Sequence, residues 1–386
     1  MNPFDYTYPV RVHFGADCTD RALADELARV AGPTVMIAYG GGSVKRTGLF
    51  DRLVAIVEAA GKSVVEFGGI MPNPTYAKVQ EGARLAREHN VDFILAVGGG
   101  SVIDCCKIVS AQAKLDEDIW ELEYAQHSMP TAFLPMGAVV TASGTGAENN
   151  SGAVITNEEL HQKSPLVGAY ARFAILDPAL TRTVPMGQVI SGAFDTLSHC
   201  METYLGAPRT PNLSDEMNES IMRNVIRNMR ALAADPDDMQ ARSELMWDSA
   251  MAENGILKLG KQTDFQAHMI EHQLGAYTDC NHGRGLAVIH PALYRRLVDD
   301  ATAQLARLAR VVWGVRESDD RAAALAGIDA LEAFIKEMGL PTRFSQMGIT
   351  NADEVFRKVA DTCLIMPGCA RRLSRDEIYE LLREVA

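Results

Sequence analysis

The spacing of apolar and polar residues changes character once along this chain, near residue 185. Ahead of that point, short apolar or alternating runs take turns with amphipathic stretches. Residues 9–15 alternate like a short strand, 17–30 carry apolar residues at helical spacing, and the apolar run 34–39 stops at Gly40-Gly41-Gly42-Ser43. A helix over 49–60, a strand over 63–67, a loop with Pro72 and Pro74, and a helix over 75–89 follow. The run 93–97 enters a second glycine turn, Gly98-Gly99-Gly100-Ser101, and further apolar runs lie at 131–135, 152–156 and 173–176. Strand alternating with helix predicts a Rossmann-like parallel sheet with helices on its faces.

After Pro185 the strand pattern gives way to helical periodicity over 187–205, 214–233, 239–255, 261–276, 285–310, 320–338, 351–363 and 374–385. Ser374-Arg375-Asp376-Glu377 has the form of a capping box opening the last of these. The pattern predicts an α/β domain over 1–185 and an all-α domain over 186–386.

Composition narrows the function. A chain of 386 residues is long enough for two hydrophobic cores. At 47% apolar and 23% charged it reads as a soluble globular protein, and a net charge of −13 argues against a nucleic-acid partner. Seven cysteines, with no Cys-x-x-Cys and with Cys105 and Cys106 adjacent, fit a reducing cytoplasm better than a disulfide framework. No apolar run approaches the ~18 residues of a membrane span, and the N-terminus has neither the basic start nor the apolar stretch of an export signal.

The candidate chemistry gathers between 195 and 290. Asp195 and His199 are four residues apart, so on a helix they share one face and can share a metal ion. His268 and His272 follow in His-Met-Ile-Glu-His, and His282 in Asp-Cys-Asn-His-Gly-Arg-Gly. A single buried histidine is more often a hydrogen-bonded core residue than a ligand. Five of the nine histidines nevertheless lie between 199 and 290, and core packing alone does not explain that clustering.

Two glycine turns and a polar loop are the other candidates. In Gly98-Gly99-Gly100-Ser101 the missing side chains let the backbone approach a ligand, and the following helix N-terminus offers N–H groups to a pyrophosphate. Ser101 and Asp104 can also form a capping box, in which case the turn is a plain tight connection. At Gly40, Gly41, Gly42 and Ser43 the chain lacks the strand-end acid that takes the adenosine ribose hydroxyls and repels a 2′-phosphate. It has Lys45 and Arg46 just beyond, so a dinucleotide bound here is expected to be NADP(H) in preference to NAD(H), unless those two residues only open a solvated helix. The loop 141–152, dense in Thr, Ser, Gly and Asn, offers hydroxyls and amides to a ligand or makes a turn.

Taken together, the chain resembles the iron-containing (group III) alcohol dehydrogenase family, in particular its NADPH-dependent aldehyde reductase and butanol dehydrogenase branch. The resemblance covers nearly the whole length. It rests on Gly-Gly-Gly-Ser-Val-Ile-Asp at 98–104, Thr-Gly-Ala-Glu-Asn-Asn-Ser-Gly at 145–152, Asp-Pro at 177, Phe-Asp-Thr-Leu-Ser-His at 194–199, and His-Met-Ile-Glu-His-Gln-Leu-Gly at 268–275 with His282-Gly283.

The resemblance implies a dehydroquinate synthase-like architecture, an α/β dinucleotide-binding domain followed by a helical metal-binding domain, assembled as a homodimer or higher oligomer. It implies a divalent metal, with Fe(II) favoured and Zn(II) or Mn(II) possible, on Asp195, His199, His268 and His282. It also implies cofactor contacts from Gly98, Gly99, Gly100, Ser101, Asp104, Thr141, Thr145 and Lys163, with Gly40 to Ser43 at the adenosine end and the cofactor between the domains. His272 matches a pocket histidine outside the metal ligands, either a proton donor or a residue that orients a ligand. One departure stands out: the family's Pro-Ala-Thr-Gly-Ser-Glu is replaced by Ser143-Gly144-Thr145-Gly146-Ala147-Glu148. The expected reaction is hydride transfer between NADP(H) and a small, aliphatic aldehyde or primary alcohol in the cytoplasm. The alternatives are a glycerol dehydrogenase-like or dehydroquinate synthase-like enzyme, or a non-catalytic metal-binding protein.

Overall fold

Runs that are apolar at nearly every position become strands buried on both faces, as a parallel sheet sandwiched by helices requires. The computed structural model describes residues 2–386. The chain forms two compact units, Tyr8–Val184 and Pro185–Ala386, the latter joined by the segment up to Thr7. That short N-terminal segment therefore groups with the helical unit and not with the α/β unit, and Asn2 N–H donates to the Gly260 carbonyl at 3.2 Å.

In the α/β unit, β1 (Arg11–Phe14), β2 (Thr34–Tyr39), β3 (Ser63–Phe67), β4 (Phe93–Gly98), β5 (Met136–Val140) and β8 (Phe173–Leu176) form one sheet in the order β1-β8-β5-β4-β2-β3. All its pairings are parallel. Its connections carry α1 (Thr19–Leu27), the single turn α2 (Ser43–Arg46), α3 (Leu49–Ala59), α4 (Tyr76–Glu88) and α5 (Gly100–Gln112). The chain leaves β2 for β3 on one side and reaches β4 on the other, so the order reverses between β2 and β4. Ligands of open parallel sheets bind beyond the strand ends at such a reversal.

One strand expectation is corrected and one strand is added. The strand expected at 131–135 lies at 136–140, where Gly137 and Ala138 weaken the β signal. Gly137 is needed because a Cβ there would come within 2.3 Å of the Phe173 ring. The antiparallel hairpin of β6 (Gly152–Asn157) and β7 (Gln162–Val167) includes a polar strand with Pro165 that periodicity does not reveal.

The helical unit comprises α6 (Met186–Tyr204), α7 (Leu213–Ala234), α8 (Met239–Glu253), α9 (Gln266–Thr278), α10 (His282–Leu297), α11 (Thr302–Val311), α12 (Asp320–Glu337), α13 (Asp353–Thr362) and α14 (Arg375–Glu384). The Ser374 capping box on α14 forms as expected. The periodic stretch 285–310 divides into α10 and α11. Val298 and Ala301 between them are both buried, so the apolar rhythm runs through the break. One core joins Phe194, Leu197 and Met201 of α6 to Ile270 and Leu274 of α9 and to Leu286, Ile289 and Leu293 of α10. Burying each such side chain contributes about 1.5–3 kcal/mol, which locks these three helices together. Among the described residues no helix is long and apolar enough to cross a membrane.

Candidate active site

The helical spacing of Asp195 and His199 holds: both lie on α6, buried, with His199 Nδ1 3.8 Å from Asp195 Oδ1. His268 sits in the first turn of α9 and His282 opens α10. Their Nε2 atoms each lie 3.4 Å from Asp195 Oδ1. Two ligands about 2.1 Å from a tetrahedral ion are themselves about 3.4 Å apart, so these atoms are spaced as a metal's coordination sphere spaces them. The donor atoms of Asp195, His268 and His282 all lie within 4.8 Å of one another, and His199 flanks this tighter set.

Hydrogen bonding points the same way. Among the described residues, Asp195 Oδ1, His199 Nδ1 and His268 Nε2 are buried without a hydrogen-bond partner, which is costly unless something else satisfies them. The far sides of two rings are occupied: His268 Nδ1 bonds Glu202 and His282 Nδ1 bonds Glu271, both carboxylates being fully buried. A carboxylate on Nδ1 places the proton there and leaves the Nε2 lone pair for a cation. Burial opposes the charge on Asp195, yet the imidazoles of His199 and His282 hold its carboxyl well below the usual range. Burial likewise opposes protonation of His268, but Glu202 and Asp195 push it up to about 10. The negative field that does so also attracts a divalent cation.

Local backbone geometry fixes these side chains. Gly283 lets α10 reach α6, because a Cβ there would lie 2.1 Å from the Ser191 carbonyl oxygen. Phe265, just before α9, holds a left-handed conformation at φ 51° and places its ring 4.8 Å from that of His268. Non-glycine residues adopt this conformation only where surroundings impose it. His272, one turn beyond His268, is buried with its ring 5.2 Å from that of His282. His290 takes no place in the set. Its Nε2 lies 2.6 Å from Ser198 Oγ and its ring packs between Phe194 and Tyr294, as a core histidine.

In the α/β unit, the carboxyl ends of β2, β4 and β5 bring the two glycine turns and the polar loop together. The Gly40 Cα faces Val102 of α5, where a Cβ would lie 3.6 Å from its side chain. Thr141 N–H donates to the Gly98 carbonyl at 3.0 Å, and a Cβ on Gly100 would lie 2.4 Å from Thr145 Oγ1. The helix starts two residues earlier than a Ser101 cap requires. Gly99 is the N-cap, no side chain caps it, and Ser101 lies inside the first turn. Asp104 instead accepts the Val154 N–H at 2.9 Å, tying α5 to β6. Lys163 on β7 donates to Asn73 at 2.8 Å. Lys107, fully buried, donates to Asn150 at 3.0 Å and to the Gly152 carbonyl at 2.6 Å, fixing the end of the polar loop. Its position in an apolar helix concealed it from pattern reading.

Two family models match consecutive parts of the chain: iron-containing alcohol dehydrogenase over residues 9–178, and the C-terminal part of the Fe-containing alcohol dehydrogenase family over 189–386. The chain belongs to the iron-containing alcohol dehydrogenase family. It is 38% identical to the probable NADH-dependent butanol dehydrogenase 1 of Bacillus subtilis, over 99% of both chains. It is 35% identical to the NADPH-dependent aldehyde reductase YqhD of Escherichia coli, over 90% of both. Among solved structures, the NADH-dependent butanol dehydrogenase A of Thermotoga maritima superposes with a TM-score of 0.94 at 32% identity, covering 100% of this chain and 99% of that one. As a member of the iron-containing family, the protein is a metal-dependent, NAD(P)-dependent alcohol dehydrogenase or aldehyde reductase.

Proposed function

We propose that Asp195, His199, His268 and His282 hold the catalytic divalent metal, with Fe(II) favoured over Zn(II) and Mn(II). The observation that carries this reading is the convergence of buried, unsatisfied Asp195 Oδ1 and His268 Nε2 with His282 Nε2 at the spacing of a coordination sphere. One carboxylate with three imidazoles suits all three metals. When bound, the metal supplies Lewis-acid polarisation of a carbonyl and the nicotinamide supplies or accepts hydride. His272 lies close enough to the ligands to hold a proton for the substrate oxygen as a carbonyl becomes a hydroxyl. Gly98, Gly99, Gly100 and Ser101 cradle the pyrophosphate, with Thr141, Thr145 and Lys163 lining the cofactor and Asp104 anchoring the cradle.

Gly40 to Ser43 take the adenosine end, and the absence of an acid at the end of β2 favours NADP(H). Relatives named for butanol and for aldehydes support a small, aliphatic aldehyde or primary alcohol as substrate. A cytoplasmic homodimer or higher homo-oligomer completes the proposal. Replacing His268 with Ala should remove both bound metal and turnover. Metal content equal to that of the unaltered protein would refute the ligand assignment.

A further inference from the structure

The acid missing from the end of β2 is supplied in space by the neighbouring strand. Register pairs Ile37 of β2 with Glu66 of β3, one residue before β3 ends. Glu66 Oε1 accepts from both the Tyr39 hydroxyl, at the end of β2, and Lys45 Nζ, the latter at 2.5 Å. Lys45 also lies 4.8 Å from the centroid of the Phe50 ring and 5.4 Å from that of Tyr39. Among the described residues, Arg46 makes only a long contact, 3.5 Å, to the Gly41 carbonyl. The loop after β3 closes on the same turn, with Gly69 N–H donating to the Gly40 carbonyl at 3.2 Å.

We infer that Glu66 is an internal competitor for the 2′-phosphate of the cofactor: it occupies Lys45 so that this lysine is recruited only by displacing a carboxylate, which narrows the preference for NADP(H) and admits NAD(H). The inference rests on the adenosine end lying at Gly40 to Ser43. Lys45 and Glu66 are 44% and 46% exposed, and an ion pair that open to water is weak enough for a phosphate to displace. Its hydrogen bond to Lys45 holds the Glu66 carboxyl below its usual range, so the competitor stays charged throughout the neutral region. Arg46, which has no carboxylate partner of this kind among the described residues, is the second cation at the turn.

The test is calorimetric binding of 2′,5′-ADP and of 5′-AMP, which differ only in the 2′-phosphate, to full-length protein and to E66Q, K45A and R46A. The isosteric E66Q should raise the affinity ratio of 2′,5′-ADP to 5′-AMP by about fivefold, the upper range of an exposed pair. K45A should lower the ratio and make it insensitive to a second E66Q change. A lowered ratio in K45A with none of the gain in E66Q overturns the competitor role and leaves the adenosine placement standing. A ratio unmoved in K45A and in R46A, or no binding of either nucleotide, overturns the placement and the inference with it.

Discussion

The carboxylates behind His268 and His282 give the most informative perturbation. Glu202 and Glu271 each sit on the Nδ1 side of an imidazole whose Nε2 faces Asp195. Counting the metal–nitrogen bond, the ring and the hydrogen bond, each carboxylate lies roughly 6–7 Å from an ion in the site. A unit charge at that distance from a divalent ion is worth about 5 kcal/mol at an effective dielectric of about 20. Substitution by Gln keeps a hydrogen-bonding oxygen and relieves the cost of burying the charge, which offset part of this. What remains is a loss of about 10–100-fold in metal affinity, or about 1.4–2.8 kcal/mol. The His268 side chain is 2% exposed against 23% for His282, so E202Q should cost at least as much as E271Q. Competition with a chelator for Zn(II), read as a dissociation constant, measures both. At pH 8, above the value of about 7 to which burial pushes the Asp248 carboxyl, D248N neutralises another buried carboxylate of the helical unit and serves as the control. Affinity unchanged in E202Q and E271Q, or lowered equally in D248N, would refute this account of the rings.

The other predictions separate chemistry from scaffolding. H272A should lower kcat by about 10²–10⁴-fold while metal content stays at the unaltered level; loss of metal would assign His272 to the site's structure instead. Burial pushes the Asp248 carboxyl up to about 7, so the folded protein binds that proton more tightly than the unfolded chain. The stability this adds is fully present below pH ~4 and lost as pH rises through ~7, so D248N should gain on the unaltered protein between pH 4 and 8, by on the order of 2–4 kcal/mol. Thermal unfolding across that range checks it, and a gap independent of pH counts against it. G100A drives a Cβ against Thr145 and should cost about 1–3 kcal/mol, recovered in large part by G100A/T145G; equal melting temperatures for G100A and the parent would contradict the close approach.

Part of the candidate metal site was legible because helices turn spacing into direction. Asp195 and His199 at i and i+4 could be placed on one face before any coordinates. Glu202 and Glu271 were not legible, because each bonds a ring on another helix, His268 and His282, and a glutamate among helix formers looks like surface until that ring nitrogen is found beside it. His290 counted toward the cluster for the opposite reason, since proximity in sequence does not tell an inward-facing core ring from a ligand. The surroundings of the Gly40 turn were hardest to read. Glu66 is brought beside the end of β2 by strand pairing between β2 and β3, and Lys45 reaches it from α2. The misplaced fifth strand and the undivided 285–310 stretch have a common cause: packing against Phe173, and burial of Val298 and Ala301, outweighed local preference.

The proposed reaction is reduction of an aldehyde by a nicotinamide, with a metal held by Asp195, His199, His268 and His282. Its most direct test is NADPH and NADH oxidation against butyraldehyde by metal-depleted protein titrated with Fe(II), with bound metal measured on the same samples and H268A in parallel. Turnover should rise with bound metal to one ion per chain and be absent in H268A. Full turnover in the depleted protein, or in H268A, would contradict it.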